Sequence, residues 1–267
     1  MDRLLARIGL AAMPAPDVDG LRELHRAYVG TVPYEALAVQ LGESAPLDSA
    51  DLLDRVVSGG RGGYCFEVNT VLHDLLVGAG FTVERRVANV GGAGLPNHMA
   101  LVVDVDGEEY LADAGLGEGP LDPVPLVDGA TTPGPMSWTV RRTEDGWRLE
   151  QHEWGSVAYF TFGDTRADLD DFQPHHRRLS REPDSSFVQT LVVQRPFDDR
   201  IVTLRSRTLS VDGPGRRERD VLPDADAWAT ALHDEFGVDP AVLGDERMTR
   251  LWGLAGAQHE AFLARTG

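Results

Sequence analysis

The chain has 267 residues and not one lysine; all 25 of its Lys+Arg positions are arginine. That absence removes whole chemistries. A pyridoxal-phosphate enzyme or a Schiff-base aldolase needs a lysine amine, and a Walker-type nucleotide loop needs a lysine ammonium. Positive charge is scarce as well: 25 cations stand against 43 acidic side chains, a formal charge of −18. A chain so acidic, without a basic tract, is a poor match for the phosphates of nucleic acid or for an anionic membrane. There is a single cysteine, Cys65, so no intramolecular disulfide can form, and a solitary thiol suits a reducing compartment. Long apolar runs are missing. No stretch approaches the ~18 residues of a membrane span, and Arg7 interrupts the apolar residues near the start, unlike a signal peptide. A cytoplasmic protein is expected.

What remains is ordinary globular composition, 42% hydrophobic and 25% charged, in a chain long enough for one large domain or a few small ones. Residues 1–83 read as helical. Leu21, Leu24 and Val29 recur at helical spacing, and Asp48 and Ser49 suit the cap of a helix carrying Leu52, Leu53, Val56 and Val57. A glycine-rich hinge at 58–63 leads into a further helix from Tyr64-Cys65, stopped by Gly78 and Gly80. From Phe81 the pattern changes to short β-branched or aromatic runs separated by turns such as Asp106-Gly107 and Asp145-Gly146, which indicates an antiparallel sheet or barrel. Residues 166–187 read as polar and mostly irregular. Two further strands, at 187–195 and 200–211, and two helices close the chain. His175-His176 reads as part of a solvated loop, and Gly91-Gly92-Ala93-Gly94 as a flexible loop between strands.

Cys65 stands where a glycine loop turns into a helix. The first N–H groups of a helix have no intrahelical partner and carry partial positive charge, which favours a thiolate and can hold an oxyanion. The plainer reading is a small core residue, since free cysteine is among the most buried types. A nucleophilic thiolate needs an imidazole and a third group to orient it. Of the eight histidines, His98 heads the strand Met99–Val105, which the two-residue turn Asp106-Gly107 folds back. If Val105 pairs with Glu108, His98 and Asp113 lie on one face as diagonal neighbours, roughly 7–8 Å apart or less. A slip of one residue would place them on opposite faces.

The run Arg61-Gly62-Gly63-Tyr64-Cys65-Phe66-Glu67-Val68-Asn69 resembles the active-site signature of the arylamine N-acetyltransferases. Further matches follow in family order: Arg7-Ile8-Gly9, Val32-Pro33-Tyr34-Glu35, Asn97-His98-Met99, Asp113-Ala114-Gly115-Leu116-Gly117 and Pro183-Asp184-Ser185-Ser186-Phe187. The resemblance implies an α+β fold with a cysteine-protease-like core, in three parts. These are a helical bundle with the nucleophile (1–83), an antiparallel β-barrel with the histidine and aspartate (84–190), and a C-terminal α/β lid (191–267). It implies a Cys65–His98–Asp113 triad, and a substrate pocket formed by Tyr34, Phe66, Asn97, Leu116, Gly117 and Phe187. It implies ping-pong N-acyl transfer from acetyl-CoA or another acyl thioester, used as co-substrate with no permanently bound cofactor or metal, to an arylamine or related amine. Arg61, Glu67 and Asn69 would build the loop around the cysteine.

Departures from the family pattern bear on substrate. Tyr34 stands for the usual phenylalanine, Ala36 for asparagine, Asn97 for a frequent threonine, and Leu116 for a pocket phenylalanine. The last removes an aromatic wall and keeps open an amide synthase that takes a larger acyl thioester, including one on an acyl carrier protein. A cysteine hydrolase and a non-catalytic binding protein are the remaining alternatives. With no lysine, arginines such as Arg177, Arg178, Arg216 or Arg217 would have to meet the phosphates of CoA.

Overall fold

The computed structural model of the protein describes residues 1–92 and 94–266, the last of these by its backbone alone. The N-terminal helices are α1 (Asp2–Arg7), α2 (Val18–Thr31), α3 (Leu37–Leu41), α4 (Ser49–Gly59) and α5 (Cys65–Gly78), with a two-residue strand β1 (Tyr34–Glu35) between α2 and α3. Their starts are set by aspartates: Asp17 accepts from the Gly20 N–H at 2.8 Å, and Asp48 accepts from the N–H groups of Ala50 and Asp51. In α5, Val68, Val71, Leu72, Leu75 and Leu76 are all buried. A helix apolar round so much of its circumference belongs in the interior, and α2 and α4 pack against it.

The barrel strands are β2 (Thr82–Val90), β3 (His98–Val105), β4 (Glu108–Leu111), β5 (Val124–Pro125), β6 (Trp138–Thr143), β7 (Gly146–Gln151) and β8 (Tyr159–Ala167), in the order β5-β4-β3-β2-β8-β7-β6. The segment after β5 bonds back to β6 (Gly129 N–H to Val140 O, 3.0 Å; Val140 N–H to Ala130 O, 2.8 Å), so the sheet is nearly closed. Strand β3 is covered on both faces. Met99, Leu101, Val103 and Val105 pack on the helices, while Ala100 and Val102 join Trp138, Leu149 and Phe160 inside the barrel. That double burial explains its nearly unbroken apolar run.

Two helices follow, α6 (Leu169–Arg181) and α7 (Ser186–Gln189). The expectation of irregular chain over 166–187 therefore fails. Phe172, His176 and Leu179 share a buried helical face, which a scan for aliphatic periodicity passes over because one of the three is a histidine. Strands β9 (Val192–Pro196), β10 (Ile201–Arg205), β11 (Thr208–Gly213) and β12 (Arg216–Val221) form a second antiparallel sheet with β1, in the order β1-β9-β10-β11-β12. The expected strand at 187–195 starts late because α7 takes its first residues, and the one at 200–211 is two strands of a hairpin turned at Ser206 (φ 51°). Strand β12, Arg-Arg-Glu-Arg-Asp-Val, is exposed throughout and has no apolar alternation to betray it. Helices α8 (Ala225–Phe236), α9 (Pro240–Leu243) and α10 (Asp245–Thr266) complete the fold, with Trp228, Leu232, Phe236 and Leu251 packed on Leu191, Val193, Val202 and Leu204 of the second sheet. Among the described residues no helix is long and apolar enough to cross a membrane. The loop expected at 91–94 includes Ala93, which lies outside the described residues; Gly91 and Gly92 turn with φ of 72° and 68°.

Candidate active site

The turn before α5 is built by close approach. A Cβ on Gly62 would stand 1.7 Å from the Pro33 carbonyl oxygen, so only glycine lets the loop pass the chain leading into β1. Buried ion pairs hold this turn. Arg61 Nε donates to Glu35 Oε1 at 2.8 Å, Arg55 pairs with Glu67 at 2.9 Å, and Glu67 Oε2 accepts from the Tyr64 N–H at 3.2 Å. Arg61 and Glu67 thus shape the loop, as expected. Cys65 is the first residue of α5 and is 2% exposed; its Sγ lies 3.5 Å from the Asn97 carbonyl oxygen, which its S–H faces.

The hairpin of β3 and β4 has the register expected from the sequence: Val105 opposes Glu108 and Val102 opposes Leu111. The ladder ends there, and the chain runs on to Asp113, whose Oδ2 lies 2.6 Å from His98 Nε2. Both residues are buried. Asn69, one turn along α5 from Cys65, donates from Nδ2 to Asp113 Oδ1 at 2.8 Å and to the Met99 carbonyl at 2.6 Å, while its Oδ1 accepts from the Ala114 N–H at 2.9 Å. The Gly115 N–H donates to the same Asp113 Oδ1 at 2.8 Å. A Cβ on Gly115 would meet Cys65 Cα at 2.8 Å, so this glycine brings the aspartate loop against the start of α5.

Sequence reasoning missed His25. Its Nε2 accepts from the Asp113 N–H at 2.9 Å, so its Nδ1–H donates to the Leu121 carbonyl at 2.8 Å. Burial lowers the pKa of His25, which keeps the ring in that neutral tautomer. It also missed His176, which is no loop residue. His176 Nδ1 lies 2.6 Å from the Tyr64 hydroxyl and Nε2 lies 2.7 Å from the Ala45 carbonyl, so Nε2 carries the proton and the tyrosine donates to Nδ1. Neither histidine announces this in sequence, because both sets of partners are more than 85 residues away.

Cys65 and His98 line one cavity of about 240 Å³. Of the other expected pocket residues, Tyr34, Asn97, Leu116 and Phe187 line it too, together with Trp138 and Phe160. Phe66 does not; it is fully buried against Tyr64, Phe172 and His176, because the second position of a helix entering the core points away from the first. Gly117 sits behind Tyr34 rather than on the cavity wall. Asn97 points its side chain into paired bonds with the Val90 backbone and presents its carbonyl to the thiol.

Burial pushes the Cys65 thiol well up; the Phe66 N–H at the helix start opposes this, but the carboxylates of Asp113 and Glu67 add to the rise. Burial of the thiol thus works against the helix terminus.

A larger cavity, about 890 Å³, opens beside the first. Glu118, Ser156, Thr190, Gln194 and Arg205 line both. Its walls come from β10, β11, β12, the end of α10 and the loop between β7 and β8, and it carries Arg205, Arg217, Arg219 and Arg265. Of the arginines considered for phosphate contact, Arg217 lies here, over the Trp154 ring at 5.7 Å. Arg178 instead donates to the Pro96 carbonyl at 2.6 Å, and Arg216 pairs with Glu218 at 3.1 Å. No group of three or more metal-ligating side chains occurs among the described residues.

The chain is similar to proteins that are already known. Residues 17–242 match the family model described as N-acetyltransferase. The arylamine N-acetyltransferase of Mycolicibacterium smegmatis is 33% identical over 264 residues, covering 90% of this chain and 91% of that protein. The Mycobacterium marinum arylamine N-acetyltransferase, solved in complex with CoA, matches with a TM-score of 0.84 at 29% identity, covering 94% of this chain and 97% of that one. The proansamycin X synthase of Amycolatopsis mediterranei is 24% identical over 244 residues, covering 85% of this chain and 93% of that protein.

Proposed function

This chain belongs to the arylamine N-acetyltransferase family, and on that premise we propose that it carries an acetyl group from a CoA thioester to an arylamine through an acyl-Cys65 intermediate. The observation that carries the reading is the shared cavity of Cys65 and His98, with the imidazole held from behind by Asp113 at 2.6 Å. Asp113 is the acceptor for Nε2–H, which leaves Nδ1 as the basic nitrogen. His98 Nδ1 takes the Cys65 proton and holds the sulfur as a thiolate, which attacks the thioester carbonyl. The tetrahedral oxyanion meets the N–H groups at the start of α5. Collapse expels the CoA sulfur, which takes the proton from the imidazolium. In the second half the amine attacks acyl-Cys65, Nδ1 accepts a proton from its nitrogen, and the Cys65 sulfur leaves and regains a proton. The phosphates of CoA would meet Arg205, Arg217 and Arg265 in the larger cavity, where these cations stand against the strong negative charge of the whole chain.

Intact-mass spectrometry after mixing with acetyl-CoA tests this. One acetyl group should appear on Cys65, stay in water, and leave on adding an arylamine. A mass gain discharged by water alone would mark a hydrolase, and no gain would end the proposal. A second reading, amide synthesis from a larger acyl thioester, is favoured by Leu116 in the cavity wall and by the likeness to proansamycin X synthase. Faster loading from a long acyl-CoA than from acetyl-CoA would support it.

A further inference from the structure

Glu118 takes no part in the chemistry above, yet its side chain is buried where the two cavities meet. Both of its oxygens accept from the Ser156 N–H at 3.0 Å, and Oε1 also accepts from the Ser156 hydroxyl at 2.7 Å. The Glu118 carbonyl accepts from Gln151 Nε2 at 3.1 Å. Glu118 therefore ties the loop between β7 and β8 to the glycine loop that follows Asp113. That loop supplies walls to both spaces: Trp154 to the larger, Ser156 to both, Val157 to the smaller. The Ser156 N–H and hydroxyl both converge on Oε1, and the negative charge strengthens both bonds.

We propose that the Glu118–Ser156 clasp is the partition that sets how large a group reaches Cys65, and so determines the size of the acyl group the enzyme accepts. The clasp stands between a space of about 240 Å³ at the thiol and one of about 890 Å³ beside it, a border it shares with Thr190, Gln194 and Arg205, so its release widens a passage that already admits the slender arm of a thioester. The consequence for acyl transfer rests on the acyl-Cys65 reading, but the partition itself can be read without it.

The experiment measures Cys65 alkylation by N-methylmaleimide and by N-pyrenylmaleimide on the full chain, for the parent, Glu118→Ala, Glu118→Gln and Ser156→Ala. The clasp predicts that the ratio of the bulky to the small rate rises about tenfold in Glu118→Ala, the loss of a charge-assisted hydrogen bond network. Glu118→Gln should raise it less, because its amide oxygen can still accept from the Ser156 N–H and hydroxyl but without the charge, and Ser156→Ala, which loses the hydroxyl bond, should also raise it. The small reagent's rate should stay within about twofold throughout. An unchanged ratio in all three variants, or an equal rise for both reagents, would overturn the proposal. Ser156→Ala removes only a hydroxyl and keeps the test open should the Glu118 variants not fold. Loading from octanoyl-CoA against acetyl-CoA is then compared in the same variants. If no variant or parent loads from either donor while the maleimide ratio shifts, the acyl-transfer reading fails and the partition stands.

Discussion

The two cavities that meet at Glu118 are built from different kinds of sequence. The smaller holds Cys65, His98 and aromatic walls from Tyr34, Phe160 and Phe187, and most of its reactive groups sit in short runs with recognisable spacing. The larger is assembled from the exposed strand β12, the end of α10 and the loop between β7 and β8, and its cations are spread over 60 residues of chain, from Arg205 to Arg265. Bond-making needs a few atoms held within tenths of an ångström, which local motifs and one hairpin register can supply. Recognition of a long, charged donor needs area and charge, which many distant residues can share.

The largest effect expected on this division is in the small cavity. Cys65→Ala should abolish both acyl loading and transfer, and Asp113→Asn should lower kcat/KM about 10³–10⁴-fold by turning the imidazole to the wrong tautomer, as read by single-turnover release of CoA thiol. Asn69→Ala, which strips donors from Asp113 and Met99 and an acceptor from Ala114, should destabilise the fold by about 2–4 kcal/mol in urea titrations and lower kcat more than it raises KM.

The large cavity should respond differently. Arg217→Ala should raise KM for acetyl-CoA about three- to tenfold, less at high salt, while transfer from p-nitrophenyl acetate, which lacks phosphates, stays unchanged. If transfer from the small ester falls equally, the two cavities do not divide the work. Leu116→Phe should favour flat arylamines over aliphatic amines by about two- to tenfold in kcat/KM ratios, the worth of one aromatic contact.

The smallest effect near neutral pH comes from the buried histidines. Burial lowers the pKa of His25 and of His176, so the folded state keeps them neutral while the unfolded chain takes up their protons. Their contribution is present above the unfolded value of 6.5 and is lost as pH falls below it toward their folded values. Stability should fall by about 1.4 kcal/mol per pH unit for each histidine in that window. Urea midpoints measured across it would check this, and His176→Asn, which can keep one of the two bonds, should reduce the slope.

How much could be read beforehand differs by element. The pairing of Val105 with Glu108 follows from a two-residue turn between alternating strands, and with it the His98–Asp113 neighbourhood. Helices α4 and α5 announce themselves by caps and glycines. Helix α6 does not, because its buried face includes His176, and a lone sequence cannot show that Tyr64 and Ala45 wait for that ring. Phe66 falls outside the expected pocket for a related reason: motif membership says that a residue is near the nucleophile, not which way it points.

Left to itself, the order of amino acids decided the candidate nucleophile, its proposed base and the turn that places the base beside Asp113, since each depends on backbone geometry within a few residues or across one hairpin. Only the folded chain decided what surrounds them: His25 behind Asp113, Glu118 across from Ser156, and arginines from the last strand and last helix facing one space. Those groupings join residues 38 to 88 positions apart. They arise from how the helices, barrel and second sheet exclude water together, which no local pattern records.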